Sequence, residues 1–251
     1  MNVLAATGLA KAFGGVQAVG GISFALAAGE LLALIGPNGA GKSTCFNLLN
    51  GQLTPDSGEV LFDGRDITGW KPRRIWRLGV GRTFQITATF ASMTVRENVQ
   101  LALISHRRRS RALFPRAGRL YVEEAMALLE RVGMADQYDR ACSVLAYGDL
   151  KRVELAVALA NTPKLLLMDE PTAGMAPKER IELMRLTAEI VRREGISVLF
   201  TEHDMDVVFA HADRIMVMNR GLLIAEGKPA EVRANKTVQD IYLGTMHGLA
   251  A

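Results

Sequence analysis

A glycine-rich loop between an apolar strand pattern and a helical pattern constrains the fold of this chain more than any other feature. The loop follows the run Leu31–Ile35 and consists of Gly36, Pro37, Asn38, Gly39, Ala40, Gly41, Lys42, Ser43 and Thr44. Glycines tolerate positive φ and let several backbone N–H groups approach one oligophosphate closely. In this pattern the lysine reaches the terminal phosphates, the serine offers its hydroxyl to Mg²⁺, and the helix N-terminus adds its positive dipole end. The sequence therefore predicts a phosphate site at Lys42 and Ser43.

Length and composition are typical of a globular α/β protein. The 251 residues are 49% hydrophobic and 22% charged, and no apolar run approaches the roughly 18 residues of a membrane span. No secretory pattern begins the chain, and Cys45 and Cys142 lack the spacing of a disulfide framework or metal site, so we expect a reducing, cytoplasmic environment. A net charge of +4 does not distinguish an anionic membrane surface from nucleic acid as a partner.

The order of strand-like and helix-like patterns predicts an α/β fold with an insertion. Short apolar runs separated by Gly14–Gly15 and by Gly20–Gly21 predict antiparallel hairpins near the start of the chain. From residue 150 to residue 201, alternating helix and strand patterns predict βαβ units with parallel strands. Residues 93–150 carry apolar positions at helical spacing after a capping-box pattern at Thr94, which predicts a helical insert.

Two adjacent acidic residues end a buried strand pattern. Residues 165–168 are all apolar, and Asp169 and Glu170 follow them. Ligands of open α/β sheets bind where strands end and helices begin, so these carboxylates are expected beside the phosphate loop. Asp169 would hold Mg²⁺, and Glu170 would polarise the water that attacks the terminal phosphate. The alternative is that both acids only cap the turn at Pro171.

Gln85 and His203 also follow predicted strands. We expect both to reach the γ-phosphate or its water, and Gln85 to contact Mg²⁺ as well. An ordinary surface position is the alternative for the histidine. A basic run at 106–111, with Arg116 and Arg119 beyond it, is expected to be either a solvated loop or a contact with anionic lipid headgroups or a partner surface.

The order of these motifs resembles that of the ATP-binding subunits of ATP-binding cassette (ABC) transporters. The order is the phosphate loop, Gln85, a signature-like segment at 145–149, the acidic pair and His203. Segments 81–85, 152–156, 202–205 and 241–244 are similar to the longer of the two ATPases of branched-chain (hydrophobic) amino acid importers. The resemblance covers essentially the whole chain. It implies an α/β P-loop NTPase (RecA-like) core with an antiparallel β subdomain in 1–92 and 151–235, a helical subdomain in 93–150 and a tail in 236–251.

The resemblance also implies an ATP site shared by two chains. Phe13 would stack on the adenine, with a core position in a strand as the alternative. The signature-like segment would cover the γ-phosphate of ATP bound to a second subunit, and it consists of Leu145, Ala146, Tyr147, Gly148 and Asp149. Because each site needs the phosphate loop of one chain and the signature of another, the chain is expected to work as a dimer with itself or with a paralogue.

Four positions depart from the usual pattern of the family. Ala146 and Tyr147 replace a serine and a glycine, so a hydroxyl donor to the γ-phosphate is missing. Asp149 replaces a common glutamine and brings a carboxylate near phosphate unless it turns away. Ala176 stands where an aspartate usually couples the two sites. These departures leave two possibilities open, slower ATP hydrolysis and a dimer whose two ATP sites are unequal.

The resemblance implies an importer ATPase that uses ATP and Mg²⁺ at the cytoplasmic face of the inner membrane, where ATP closes two chains and hydrolysis resets them. The expected partners are two transmembrane permease subunits, contacted by the helical insert and residues 86–93, and indirectly a periplasmic or extracellular substrate-binding protein. No nucleic acid partner is expected. Branched-chain amino acids rank first as substrates. The alternatives are an exporter ATPase, such as one for lipopolysaccharide, a soluble cassette acting on nucleic acid or ribosomes, and a regulatory cassette without turnover.

Overall fold

Two β-sheets and a set of helices make up the computed structural model, which describes residues 1–83, 89–107 and 119–246. The strands are β1 (Asn2–Phe13), β2 (Val16–Ala27), β3 (Leu31–Ile35), β4 (Ser57–Phe62), β5 (Arg65–Asp66), β6 (Val80–Thr83), β7 (Leu165–Asp169), β8 (Ser197–Thr201), β9 (Arg214–Asn219) and β10 (Leu222–Gly227). The α-helices are α1 (Lys42–Leu49), α2 (Pro72–Arg77), α3 (Val95–His106), α4 (Val122–Arg131), α5 (Tyr147–Leu159), α6 (Pro177–Glu194), α7 (Met205–His211), α8 (Pro229–Ala234) and α9 (Lys236–Met246). The α/β fold predicted from the sequence is confirmed. In the described ranges, no helix combines the length and apolarity that a bilayer span requires.

The larger sheet has the strand order β10-β9-β3-β8-β7-β6. Strand β3 pairs in parallel with β8 and β9, and β7 pairs in parallel with β6 and β8, as the βαβ pattern predicts. Every residue of β3, β7 and β8 is buried, which is typical of parallel strands covered on both faces. Parallel pairing brings the carboxyl ends of β3, β6, β7 and β8 to one edge. The predicted site residues follow these strand ends.

The smaller sheet is antiparallel, with the order β2-β1-β4-β5, and a turn at Gly14–Gly15 joins its two longest strands. The expected turn at Gly20–Gly21 is wrong, because both glycines lie inside β2. The pairing slips there, since Ile22 faces Leu9 whereas Gly20 faces Ala10. The N–H of Gly20 donates to the carbonyl of Gly221 at 2.8 Å, and a Cβ at Gly20 would lie 2.8 Å from the Leu222 side chain. These glycines therefore make a bulge and a close contact with the β9–β10 turn.

The core divides into two clusters on the two faces of the larger sheet. Alternate side chains of β3 point to opposite faces, so Leu31, Ala33 and Ile35 belong to one cluster and Leu32 and Leu34 to the other. The first cluster includes buried side chains of α3, α4, α5 and α6. The second includes those of α1 and of the antiparallel sheet. The sheet edge that carries the predicted site residues is thus fixed by packing on both sides.

Candidate nucleotide site

The loop between β3 and α1 has a backbone that requires glycine at two positions. Gly36 and Gly41 have φ values of 154° and 103°. A Cβ on Gly36 would lie 2.1 Å from the carbonyl oxygen of Met218, and one on Gly41 would lie 2.1 Å from that of Ala18. The loop is therefore pressed against β9 and β2. A side chain at either glycine would displace it.

Lys42 curls back over its own loop. Its Nζ donates to the carbonyl oxygens of Gly36 at 2.7 Å and Pro37 at 3.1 Å. Burial lowers the pKa of this ammonium group, whereas the nearby carboxylates of Glu170 and Asp169 raise it. The lysine therefore lies between the loop and the acidic pair, where an incoming phosphate would meet it.

The start of α1 has the properties of an anion site. Gly41 is its N-cap, no side chain caps it, and its first turn carries no acidic residue. The first N–H groups of a helix have no partner within the helix, and a phosphate satisfies them while interacting favourably with the dipole. Ser43 and Thr44 lie in this first turn. The residues present thus fit an oligophosphate.

Asp169 ends β7 and is bound from two sides. The Thr201 hydroxyl donates to its Oδ1 at 2.9 Å, and the Arg82 guanidinium lies 3.6 Å from its Oδ2. Burial lowers the pKa of Arg82, whereas the charge of Asp169 raises it. Thr201 and Arg82 were not predicted as site residues. Thr201 is the last residue of β8 and Arg82 the next-to-last residue of β6, and both strands neighbour β7, so strand position was the signal available for them.

The chemistry of these side chains also fits Mg²⁺. The hydroxyl of Ser43 and the carboxylate of Asp169 are oxygen donors of the kind that this ion prefers. Within the described part of the chain, no group of three or more His, Cys, Asp or Glu side chains could hold a metal. In nucleotide sites Mg²⁺ usually keeps several waters and binds one or two carboxylates together with phosphate oxygens of the substrate.

Glu170 and His203 are in direct contact, as their positions at neighbouring strand ends allow. Nε2 of His203 lies 2.7 Å from Oε1 of Glu170. The N–H of Glu170 donates to Oγ1 of Thr201 at 3.0 Å. Glu170 has a φ of 48°, which is uncommon for a residue with a side chain and is often found at functional sites. Both its backbone and its carboxylate are thus oriented by residues of β8 and the loop after it.

A buried carboxylate, Glu202, joins the loops that follow β7 and β8. Its Oε1 accepts hydrogen bonds from the N–H of Thr172 at 2.8 Å and from the hydroxyl of Thr172 at 2.7 Å. Its Oε2 accepts from the N–H of His203 at 3.2 Å. Glu202 and Thr172 are 4% and 1% exposed, respectively. Glu202 therefore fixes the loop after Glu170 relative to the loop that carries His203, and sequence reasoning missed it.

Comparisons with known proteins show the family of this chain. Residues 19–173 match the family described as ABC transporter. The chain belongs to the ABC transporter family. Residues 223–248 of this ABC protein also match a second family, described as branched-chain amino acid ATP-binding cassette transporter. The two matches confirm the resemblance predicted from the order of the motifs.

Individual relatives of this ABC protein match nearly full length. It is 41% identical over 251 residues to the high-affinity branched-chain amino acid transport ATP-binding protein LivG of Salmonella typhimurium, covering 96% of this chain and 98% of LivG. The crystal structure of a nucleotide-free ATP-binding cassette from an ABC transporter has a TM-score of 0.86 and 33% identity, covering 96% of this chain and 99% of that one. A dimeric cassette bound to ADP and Pi after hydrolysis has a TM-score of 0.77 and 25% identity, covering 90% and 98%.

The signature-like segment of this ABC protein lies at the start of α5. The helix begins at Tyr147, with Ala146 as its N-cap, three residues before the helical pattern that the sequence predicts from residue 150. The Asp149 carboxylate accepts a hydrogen bond from Nε2 of Gln137 at 3.2 Å, and so has a partner in its own chain. Among the described residues, no hydrogen bond or ion pair joins residues 145–149 to Lys42 or Ser43. The single chain does not bring the two motifs together.

Phe13 lies at the end of β1 and is 47% exposed, with the Lys11 ammonium 5.8 Å from its ring centroid. An exposed aromatic ring at this position is compatible with stacking on a base, whereas the alternative of a core phenylalanine disagrees with its exposure. Gln85 lies outside the described residues, as do residues 86–88 of the expected permease-contacting segment. Residues 89–93 of that segment lie within them.

Proposed function

We propose that this protein is the ATP-binding and ATP-hydrolysing subunit of an ABC importer for branched-chain or related amino acids. The observation that carries the proposal is the arrangement of Lys42, Asp169, Glu170 and His203 at one sheet edge, in a chain that matches both families. The relatives that carry the name LivG favour an importer over an exporter. The proposed site is at the cytoplasmic face of the inner membrane.

In the proposed reaction the chain binds the triphosphate of ATP in the loop before α1. Lys42 would exchange its bonds to the loop carbonyls for bonds to phosphate oxygens. Ser43, Asp169 and Gln85 would hold Mg²⁺, which supplies positive charge against the phosphates when it is bound. Glu170, whose Oε1 contacts His203, would accept a proton from the attacking water. His203 would orient that carboxylate and approach the γ-phosphate.

A second cassette completes the proposed site. Residues 145–149 would cover the ATP of the opposite subunit, with the N-terminus of α5 aimed at its γ-phosphate. Ala146 offers no hydroxyl, so the backbone N–H groups of Tyr147 and Gly148 would be the donors. The hydrogen bond from Gln137 gives Asp149 a partner away from phosphate, which removes one objection to closure. Phe13 would stack on the adenine.

The proposed permease contact is an apolar groove between α2, α3 and α5. The groove has a volume of about 420 Å³, and residues of all three helices line it, among them Pro72, Trp76, Leu101, Ala102 and Val157. Phe90 at its rim is 57% exposed and Leu101 is 38% exposed. Exposed apolar surface of this kind is typical of a protein contact. Two permease subunits would occupy such grooves in a dimer, and a substrate-binding protein would act on them from the other side.

The proposal is tested by co-purification with candidate permease subunits. Leu101→Asp is expected to lower the amount of permease that co-purifies at least about tenfold, since a carboxylate in an apolar contact costs several kcal/mol without a partner. MgATP hydrolysis by the isolated subunit should remain. Ile181→Asp, at a site on α6 that is 58% exposed, is the matched control. Equal co-purification of both variants contradicts the proposal, as does the absence of MgATP hydrolysis by the parent protein both alone and together with a second cassette.

A further inference from the structure

Positive charge is concentrated in one segment of this chain. Residues 67–122 carry twelve Lys and Arg side chains and a single acidic residue, Glu97, whereas the rest of the chain carries 18 Lys and Arg against 25 Asp and Glu. The net charge of +4 is therefore the small difference between a strongly basic segment and an acidic remainder. The one acidic side chain of the segment accepts a hydrogen bond from the N–H of Thr94 in the capping box of α3.

Four exposed cations, one just before this segment and three within it, lie near Trp70 in the sequence, and we call them the basic surface: Arg65, Lys71, Arg73 and Arg74. The Arg65 and Arg74 guanidinium carbons lie 4.7 Å and 4.0 Å from the centroid of the Trp70 ring. Within the ranges that the structure describes, none of the four forms an ion pair. Their charge is thus available to a partner.

The basic surface continues onto the end of α3. Trp76 of α2 packs edge to face against His106, with ring centroids 5.4 Å apart and an interplanar angle of 88°. The next residue, Arg107, is exposed, and its guanidinium carbon lies 5.9 Å from the centroid of the Tyr121 ring. The end of α3 therefore lies against α2 and adds a further cation to the same side of the molecule.

The exposed cations of α6 have a different environment. On α6, the side chains of Lys178 and Arg185 lie 3.9 Å and 2.6 Å from the carboxylates of Glu182 and Glu189, one turn further along the helix. Such pairs neutralise the surface of a solvated helix. The cations of the basic surface lack this compensation, and that difference points to an anionic partner.

We propose that the basic surface binds the anionic headgroups of the lipid bilayer. This inference rests on the proposed function, because Arg73 and Trp76 also line the groove assigned to the permease. A permease lies in the bilayer, so a surface beside its contact faces lipid. Clusters of Lys and Arg next to a membrane attract anionic lipids, and tryptophan is enriched at membrane interfaces. RNA is the competing polyanion, but a position beside the membrane subunit favours lipid.

Vesicle co-sedimentation of the isolated subunit tests this proposal without any permease. The parent protein is expected to bind phosphatidylcholine vesicles only when they contain phosphatidylglycerol, and binding should fall with rising salt. The triple variant Arg65→Gln/Lys71→Gln/Arg74→Gln should bind at least about tenfold more weakly, since each cation near an anionic surface adds to binding. Its melting temperature and nucleotide affinity are measured alongside to verify folding.

The matched control removes the same charge from α6. Lys178→Gln/Arg185→Gln/Arg192→Gln is expected to bind anionic vesicles within about twofold of the parent, because these cations already have acidic neighbours. Equal losses in both triple variants would mean that net charge alone governs binding and would overturn the proposal. So would equal binding to neutral vesicles, absence of binding, or displacement by RNA at matched phosphate concentration. If one of these outcomes is found while Leu101→Asp lowers permease co-purification as expected, the lipid proposal fails and the proposed function stands.

Discussion

At the residue scale, the contact between His203 and Glu170 determines what the carboxylate after β7 can do. His203 Nε2 lies 2.7 Å from Oε1 of Glu170, so the imidazole helps to fix the direction of this carboxylate. The backbone of Glu170 has a φ of 48°, a conformation of a class that costs of order 1–3 kcal/mol and recurs at functional sites. Hydrogen bonds from its N–H to Thr201 maintain that conformation. The carboxylate is therefore oriented before any substrate arrives.

Glu170→Gln is expected to slow MgATP hydrolysis at least tenfold while nucleotide affinity stays unchanged. The amide retains the size of the carboxylate but cannot accept a proton, and a general base typically contributes about 10²–10⁴-fold. Phosphate release gives the rate, and titration with a fluorescent ATP analogue gives the affinity. Glu189→Gln, an exposed carboxylate paired with Arg185, is the control. A variant as fast as the parent would exclude Glu170 as the base.

Glu202→Gln is expected to reduce the turnover number several-fold with little change in nucleotide affinity. A glutamine oxygen still accepts from Thr172, but its amide nitrogen then faces the N–H of His203, so two donors oppose each other. Thr172→Val removes the hydroxyl donor from the other end of the contact. The two changes should be non-additive in turnover, since they disrupt one network.

The control for Glu202 is a buried threonine remote from it in the sequence. Thr187 of α6 is fully buried and donates to the carbonyl of Leu183 at 2.8 Å. Thr187→Val should change stability by a similar amount without changing turnover per folded molecule. If Thr187→Val and Glu202→Gln lower the turnover number equally, Glu202 acts only through general stability.

Strand ends explain which residues could be predicted from the sequence. Asp169, Glu170 and His203 were expected together because each follows an apolar run, and parallel pairing brings such ends to one edge. Glu202 and Arg82 were missed because their importance lies in partners on other strands. The sequence does not show that Glu202, which is adjacent to the predicted site residue His203, points inward to Thr172. Side-chain direction after a strand end depends on turn geometry, which residue spacing does not specify.

At the scale of elements, periodicity and capping patterns predicted whether a segment is a helix or a strand better than they predicted the residue at which it begins. Glycine pairs served as turn signals, and the rule worked at Gly14–Gly15 but failed at Gly20–Gly21. Glycine there permits a bulge and a close approach to Gly221, and the partner is distant in sequence. Likewise α5 begins at Tyr147 because the extended conformation of Ala146 ends the preceding loop there, with no side-chain cap to mark the start.

The capping box of α3 gives a test at this scale. The Thr94 hydroxyl accepts from the N–H of Glu97 at 3.2 Å, and the Glu97 carboxylate accepts from the N–H of Thr94 at 2.8 Å. Thr94→Ala is expected to lower the free energy of unfolding by about 1 kcal/mol, and Thr94→Ser by much less. Urea denaturation at neutral pH measures both. An alanine variant as stable as the parent would show that the cap contributes nothing.

The same box predicts a dependence on pH. Hydrogen bonds from Thr94 lower the pKa of Glu97 below its ordinary value. The group therefore binds fewer protons in the folded than in the unfolded state, so its contribution is present above the unfolded pKa of roughly 4.3 and is lost as the pH falls through the lower folded value. The stability difference between the parent and Glu97→Gln should shrink over that interval. A difference that stays constant down to the lower value would contradict this assignment.

At the scale of the whole molecule, one chain carries both a phosphate loop and a signature segment, and the two do not meet. The fold keeps them apart, because the loop belongs to the end of β3 and the signature to the start of α5. The Tyr147 ring lies 3.4 Å from where a Cβ on Gly174 would be, so the signature contacts the loop that follows Glu170. A partner that binds the signature is therefore linked, through this packing contact, to the loop that follows the chain's own acidic residues.

This geometry predicts dimerisation that depends on ATP. In a two-fold arrangement each loop faces the signature of the other chain, so two sites form at once and ATP contributes to the interface. Glu170→Gln with MgATP should elute at twice the 27.3 kDa of the monomer when mass is measured by light scattering, because bound ATP is not consumed. Ala146→Glu in the same background places a carboxylate where the opposite γ-phosphate would lie. It should abolish the dimer while each chain still binds ATP.

Ala234→Glu, an exposed alanine at the end of α8, adds the same charge outside the signature and should leave the dimer intact. Lys42→Ala should fail at the earlier step, because it loses nucleotide affinity and so supplies no phosphate for the opposite signature to bind. Lys42→Ala, Ala146→Glu and Ala234→Glu therefore separate the effects of nucleotide binding, dimer formation and net charge. If the Glu170→Gln chain stays monomeric with ATP bound, its signature needs a paralogous ATPase as partner. The Ala146→Glu comparison is then made on the mixed pair of the two ATPases. Its result decides whether residues 145–149 cover the nucleotide of the second subunit.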